Sequence, residues 1–138
     1  MKVQRFQLDM HFQILTHWLE QRKCYIPPRD EVPGIGFIAY AGSTPISVGF
    51  LRLVEGGFAQ IDGLTTNPEA PAQFRDRAND LIAESLISKA KSMNLKAIIA
   101  SSTDKHTVLR AEKYGFALMP HTLFALNLND FNKVERNN

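Results

Sequence analysis

Three extended segments in close succession constrain this chain more than any other feature. "IGFIAYAG" begins at residue 35, "PISVGFLRLV" at 45 and "FAQIDGLTT" at 58, with only the turn-rich "GSTP" and the Gly56-Gly57 pair to join them. Alternating apolar residues bounded by turn formers read as strands. The first two form an antiparallel hairpin, and the third extends it to a meander.

The flanking sequence sets the class. "KVQRFQL" alternates well enough for a strand, and Asp9 can cap a helix running to about Arg22. There Phe12, Leu15 and Leu19 recur at helical spacing, and Ile14 and Trp18 widen the stripe. "CYIPPRDEVPG" carries three prolines and reads as a loop. After the meander, the spacing of Ala78, Leu81, Ile82, Leu86, Ala90 and Met93 predicts a helix from about Arg75 to Met93. "KAIIASS" then reads as a compact buried strand. Asp104 or Thr103 can cap a further helix through Tyr114, which Gly115 is placed to end. "FALMPHTLFALNL" offers two short strands split at Pro120. The expectation is a mixed α/β domain of about seven strands, spanning residues 1–138 with a polar tail from about 129. Its one strand between two helices should lie parallel to a neighbour across a crossover.

Composition removes several function classes. At 138 residues and 44% apolar content, the chain is the size of one domain with a core of its own. Sixteen basic residues stand against fourteen acidic ones, with no cluster of Lys and Arg on one stretch, so the footprint of a nucleic-acid binder is missing. The lone Cys24 cannot form an internal bridge, and neither a signal peptide nor a spanning apolar run is evident, which points to a cytoplasmic protein. His11, His17, His106 and His121 include no pair at metal spacing, so no metal is expected. "GIGFIA" has the letters of a dinucleotide fingerprint, but it leads from a loop into a strand, whereas the fingerprint must join a strand to a helix. Neither a nucleophile elbow nor a phosphate loop with lysine occurs.

"PAQFRDRAND", at the mouth of the second long helix, is the stretch that suggests chemistry. A helix N-terminus offers unpaired N–H groups and the positive end of the dipole, so it can hold an anion such as a diphosphate. The run Gln73, Phe74, Arg75, Asp76, Arg77, Ala78 resembles the acyl-CoA cradle of the GNAT-type N-acyltransferases, Gln/Arg-x-x-Gly-x-Gly/Ala. The preceding "IDGLTT" strand with its "NP" exit and the late "TDKHTVLRAEKYGF" helix are similar to that family too. The likeness covers roughly residues 34 to 128. It implies a GNAT-like fold, a largely antiparallel mixed sheet with helices on both faces, and an acetyltransferase that moves an acetyl group from acetyl-CoA to a primary amine.

By the same resemblance, Leu64, Thr65 and Thr66 would pair with the pantetheine arm as an added strand does. Gln73, Arg75, Arg77 and Ala78 would surround the diphosphate, and Ser101 and Ser102 would stand near the far wall of the groove. Asp62, and secondarily His106, are the candidates to take a proton from the amine. The acceptor is a small-molecule or protein amine whose pocket would come from the first helix, the proline-rich loop and the final strands. "TLFALNL" could pack across a homodimer. Two residues favour a rival reading: Asp76 stands where the cradle has glycine, and Ala111 where many of these enzymes carry a proton-donating tyrosine. A non-catalytic CoA-binding or regulatory module would tolerate both. A structural interaction domain with no cofactor is the third reading.

Overall fold

The computed structural model describes residues 1–130, which fall into two compact units, residues 1–103 and the residues from 104 on. The first unit contains β1 (Lys2–Arg5), α1 (Leu8–Gln21), a 3-10 turn at Arg29–Glu31, β2 (Ile35–Ala41), β3 (Thr44–Val54), β4 (Phe58–Thr66), α2 (Ala72–Ser92) and β5 (Ala97–Ile99). The meander forms as its alternation requires. The strands lie in the order β1-β2-β3-β4-β5, with the first four antiparallel neighbours and β5 parallel to β4.

Successive β3 residues feed opposite faces of the sheet, as the two-residue period of a strand demands. Phe50 joins Phe6, Leu15, Trp18, Ile38 and Val48 beneath α1, whereas Leu51 joins Ala78, Ile82, Leu86 and Ala90 beneath α2. Phe50, Ile38, Leu51 and Ile82 are all at most 2% exposed. Burying a side chain of that size contributes about 1.5–3 kcal/mol. Close approach depends on glycine. A Cβ on Gly36 would lie 2.4 Å from Cδ1 of Phe50, so the ring rests on β2 where a side chain is missing.

The start of α1 differs from its sequence reading. Gln7 is the N-cap, and Asp9 falls in the first turn. The Gln7 N–H donates to Nδ1 of His11 at 2.8 Å, so a side chain one turn inside the helix satisfies the cap residue's own amide. His11 is fully buried, between Phe6 and Tyr40. With Nδ1 accepting, the neutral ring carries its hydrogen on Nε2, which faces the Gln4 side-chain amide at 3.3 Å and is matched when that amide turns its oxygen to the ring. Burial holds the His11 pKa below its usual value.

Two other expectations need correction. The sheet has five strands among the described residues, not seven. Residues 116–127 carry no strand, and Leu118, Leu123 and Phe124 are 80% exposed or more. A strand exists only where a neighbouring backbone completes its ladder, and apolar content alone supplies none. The "KAIIASS" strand is also shorter and less covered than expected, with three residues of which Ala97 and Ile99 are exposed. Residues 131–138, most of the expected polar tail, lie outside the described residues.

The second unit holds α3 (Lys105–Lys113), capped by Asp104 as expected, its carboxylate accepting from the N–H and Oγ1 of Thr107. Gly115, at φ +89, ends it: its N–H reaches the Glu112 carbonyl and that of Phe116 reaches Ala111, closing a Schellman motif. The ends of α1 and α2 close in the same way but with Lys23 (φ 55) and Asn94 (φ 57) in the left-handed position.

Candidate functional site

A parting of two strands leaves an extended backbone edge on β4, which leads toward the α2 N-terminus. β5 pairs with β4 at Phe58, Ala59 and Gln60 and stops, while β4 continues to Thr66. The β4 edge from Ile61 onward therefore has no strand beside it among the described residues. A bulge accompanies the parting. On β3, Val48 pairs with Thr65 and Phe50 with Asp62, so Gly49 faces both Gly63 and Leu64. An extra residue bends its strand and strengthens the local twist. Gly63 sits in that bulge at φ +63, a conformation L side chains avoid.

The expected pantetheine contacts sit as follows. Leu64 packs toward the α2 core, and Thr65 is buried with its hydroxyl on the Gly63 carbonyl. Both point inward, which leaves backbone as the recognition surface there. The Ser47 hydroxyl lies within hydrogen-bond reach of both the Thr65 carbonyl and the side-chain amide of Asn79 on α2. Thr66 is occupied: Arg22, at the C-cap of α1, donates to its carbonyl from Nε and Nη2 at 3.3 and 3.1 Å and to its hydroxyl at 2.7 Å. Sequence reasoning missed Arg22. Its one signal was a long cation closing the first helix.

Asn67 then turns the chain, holding the Ile46 and Pro45 carbonyls and accepting from the Glu69 N–H. Pro71 is the N-cap of α2, three residues or more ahead of the expected start. The shift moves the cradle. The carbonyl of Pro71 takes the N–H of Phe74 and Arg75, so the first-turn donors are those of Ala72 and Gln73. The amides of Asp76, Arg77 and Ala78 lie inside the helix. Ala78 is fully buried in the α2 core, while Gln73, Asp76 and Arg77 are exposed. Nε of Arg75 is buried with no hydrogen-bond partner among the described residues. Proline at the N-cap supplies no side-chain oxygen, so the first turn has no side-chain cap, and the apolar periodicity alone did not show this start. A hollow of about 330 Å³ abuts the same turn, lined by Asn67, Glu69, Ala70, Pro71 and Phe74 together with residues of the β2–β3 turn.

Ser101 and Ser102 follow the end of β5 and are exposed. Asp62 projects from β4 beside Arg52 of β3, and its Oδ2 accepts from Arg52 Nε and Nη2 at 2.9 and 2.7 Å. The same guanidinium reaches the Glu31 carbonyl, so Asp62 helps tie the meander to the proline-rich loop. That loop is strapped further by Tyr25 on Glu31 and by Arg29 on Asp9 and over the Phe12 ring. His106 occupies the first turn of α3 in the second unit, exposed beside Asp104. Among the described residues no three His, Cys, Asp or Glu side chains group as metal ligands, and no helix is long and apolar enough to cross a membrane.

No family model and no curated protein matches the sequence. Solved structures do match in fold. A protein described as a probable acetyltransferase superposes with a TM-score of 0.70 at 12% identity, over 92% of this chain and 97% of that one. A Clostridium acetobutylicum protein described as a predicted acetyltransferase and solved with acetyl-CoA gives 0.62 at 16%, over 94% and 97%. A Mycobacterium tuberculosis protein in complex with CoA and NLQ gives 0.68 at 12%, over 99% and 82%. At such identities the likeness shows fold alone: this chain shares the fold of these proteins, two of which are described as acetyltransferases.

Proposed function

We propose that this protein is an acyltransferase that moves an acetyl group from acetyl-CoA to a primary amine. The observation that carries the reading is the unpaired, bulged edge of β4 leading within a few residues into the open first turn of α2. A strand edge binds an extended amide-bearing arm by adding it as a strand. A helix N-terminus favours the charged diphosphate at the other end of such a molecule. The residues therefore fit CoA. The backbone of residues 61–65 would hold the pantetheine, the N–H groups of Ala72 and Gln73 the diphosphate, and Arg75 and Arg77 would add charge. Bound there, acetyl-CoA supplies an activated thioester. Two of the fold relatives were solved with CoA or acetyl-CoA, which supports the same ligand class.

An amine with a pKa near 10.4 is mostly protonated at neutral pH and must lose a proton before it attacks. Asp62 has one oxygen committed to Arg52, so Oδ1 is the atom to accept that proton, directly or through a water. His106 is the second candidate. Holding the two substrates together supplies the rest of the acceleration. The acceptor site falls to α1 and the strapped loop after it.

Thermal unfolding with and without acetyl-CoA, then thiol release across a panel of amines, tests the reading. Stabilisation with turnover supports it. Absence of any shift with CoA derivatives removes it. Arg75→Ala with Arg77→Ala should weaken CoA more than a pantetheine fragment lacking phosphate, and equal losses would refute the diphosphate assignment. Asp62→Asn should lower turnover at neutral pH with CoA affinity retained, and an unchanged pH–rate profile would remove Asp62 as base. One observation favours a second reading, a non-catalytic CoA-binding module: Ala111 leaves α3 without a phenol at the position where the GNAT resemblance would put a proton-donating tyrosine. Stabilisation by acetyl-CoA with no thiol release from any amine would decide for it.

A further inference from the structure

Thr66 lies where the two parts of the CoA site meet, at the end of the open β4 edge and ahead of the first turn of α2. The N–H of the next residue, Asn67, donates to the Ile46 carbonyl on the β3 side at 2.8 Å. The peptide bond between them is trans, and in a trans peptide the C=O and the N–H point to opposite sides. The Thr66 carbonyl therefore faces away from β3, toward the open edge, where an added strand would offer it an N–H. Arg22 occupies that place. Its Nε and Nη2 donate to the carbonyl at 3.3 and 3.1 Å, and Nη2 donates to the Thr66 hydroxyl at 2.7 Å.

The base of this contact is fixed and its tip is free to move. Arg22 is the C-cap of α1, its N–H on the carbonyl of Trp18, and Trp18 is only 3% exposed. Beside it, Gln21 reaches Oε1 of Glu69 at 3.3 Å, past Thr66 along the chain. The Arg22 side chain itself is exposed, so its guanidinium can leave Thr66 for water without stranding a buried charge. We propose that Arg22 is a latch on the ligand edge. Its guanidinium closes the last acceptor of β4, and an amide-bearing arm such as pantetheine must displace it to run from residues 61–65 to the first turn of α2. The inference rests on the CoA reading above and adds a control to that site: apparent affinity is lowered in proportion to the fraction of molecules in which the edge is open.

Isothermal titration calorimetry and surface plasmon resonance of the full chain, with CoA and with pantetheine, which lacks the diphosphate, test this. Arg22→Ala should tighten both ligands by about five- to tenfold, mainly through a faster association rate. Thr66→Val removes the hydroxyl bond and keeps the two carbonyl bonds, so it should shift both ligands the same way by less. It also carries the test should Arg22→Ala fail to fold, which circular dichroism would show. If the parent binds CoA and both variants bind it equally well, the latch is refuted and the CoA reading stands. If Arg22→Ala weakens CoA but not pantetheine, Arg22 is a diphosphate contact, and the latch is again overturned. If neither the parent nor a variant binds CoA, the CoA reading falls and takes the latch with it.

Discussion

Gly63→Ala tests the bulge most directly, because two separable costs meet at that residue. Its φ of +63 lies in the left-handed region, which costs an L residue about 1–2 kcal/mol. A Cβ there would also stand 2.9 Å from Cδ2 and 3.3 Å from Cε2 of Phe50. Phe50 is 2% exposed, edge-on to Phe6, and already seated on Gly36, so its ring has little room to yield. Overpacking of that kind costs about 1–3 kcal/mol, and the lower chain entropy of alanine when unfolded returns about 0.4–1. The net expectation is a loss of about 2–4 kcal/mol, or roughly 8–16 °C in Tm for a domain of this size. Gly42→Ala is the control. Gly42 has nearly the same φ, +60, but open space around its missing Cβ, so only the backbone cost applies, about 1 kcal/mol. Urea titration of both variants, and of Gly63→Ala in a Phe50→Leu background, separates the terms. Equal losses at positions 42 and 63, or no coupling between 63 and 50, would refute the packing account. If the bulge also shapes the edge that receives pantetheine, Gly63→Ala should weaken CoA binding and Gly42→Ala should not.

Three further outcomes follow from local features. Burial lowers the His11 pKa, so the unfolded chain takes up its proton first; stability should be full above pH 6.5 and fall as the pH drops below it. His11→Asn, which keeps an acceptor for the Gln7 N–H, should flatten that part of the urea-midpoint profile, and an unflattened profile would exclude His11. Lys23→Gly should raise stability by about 0.5–1 kcal/mol by relieving a left-handed residue at the end of α1, and a lower Tm would contradict it. Asp104→Ala should reduce hydrogen-exchange protection of the α3 amides; because Thr107 bonds lower the Asp104 pKa, the parent's protection should also fall as pH drops below the usual carboxylate value near 3.9.

Much of the secondary structure was legible because local patterns carried it. The meander, the apolar faces of α1 and α2, the Asp104 cap and the Gly115 stop each depend on residues close in sequence. The open edge was expected at Leu64, Thr65 and Thr66, whereas the pairing of β4 with β5 ceases already after Gln60. The difference arises because a bulge is set by how Gly49, Gly63 and Leu64 share space across two strands, which neither strand shows alone. The α2 start was misplaced because apolar spacing begins at Ala78, while the first turn is fixed by Pro71. Arg22 and His11 were silent for another reason. Their roles rest on tertiary partners, Thr66 on one side and a buried helix mouth on the other. The C-terminal apolar stretch was over-read, because its letters suit a strand and only a neighbour can make one.

The sheet lists its strands in the order in which the chain is synthesised. The central hairpins close over a few residues, so β2, β3 and β4 can form while the remainder is still unstructured, at little loop-closure cost. β5 is different: Phe58 meets Ala97 only after the whole of α2 has been laid across the sheet. β5, the strand whose end opens the β4 edge, is therefore a late acquisition of the folding chain, and pulse-labelled amides at 97–99 should be protected after those of the meander.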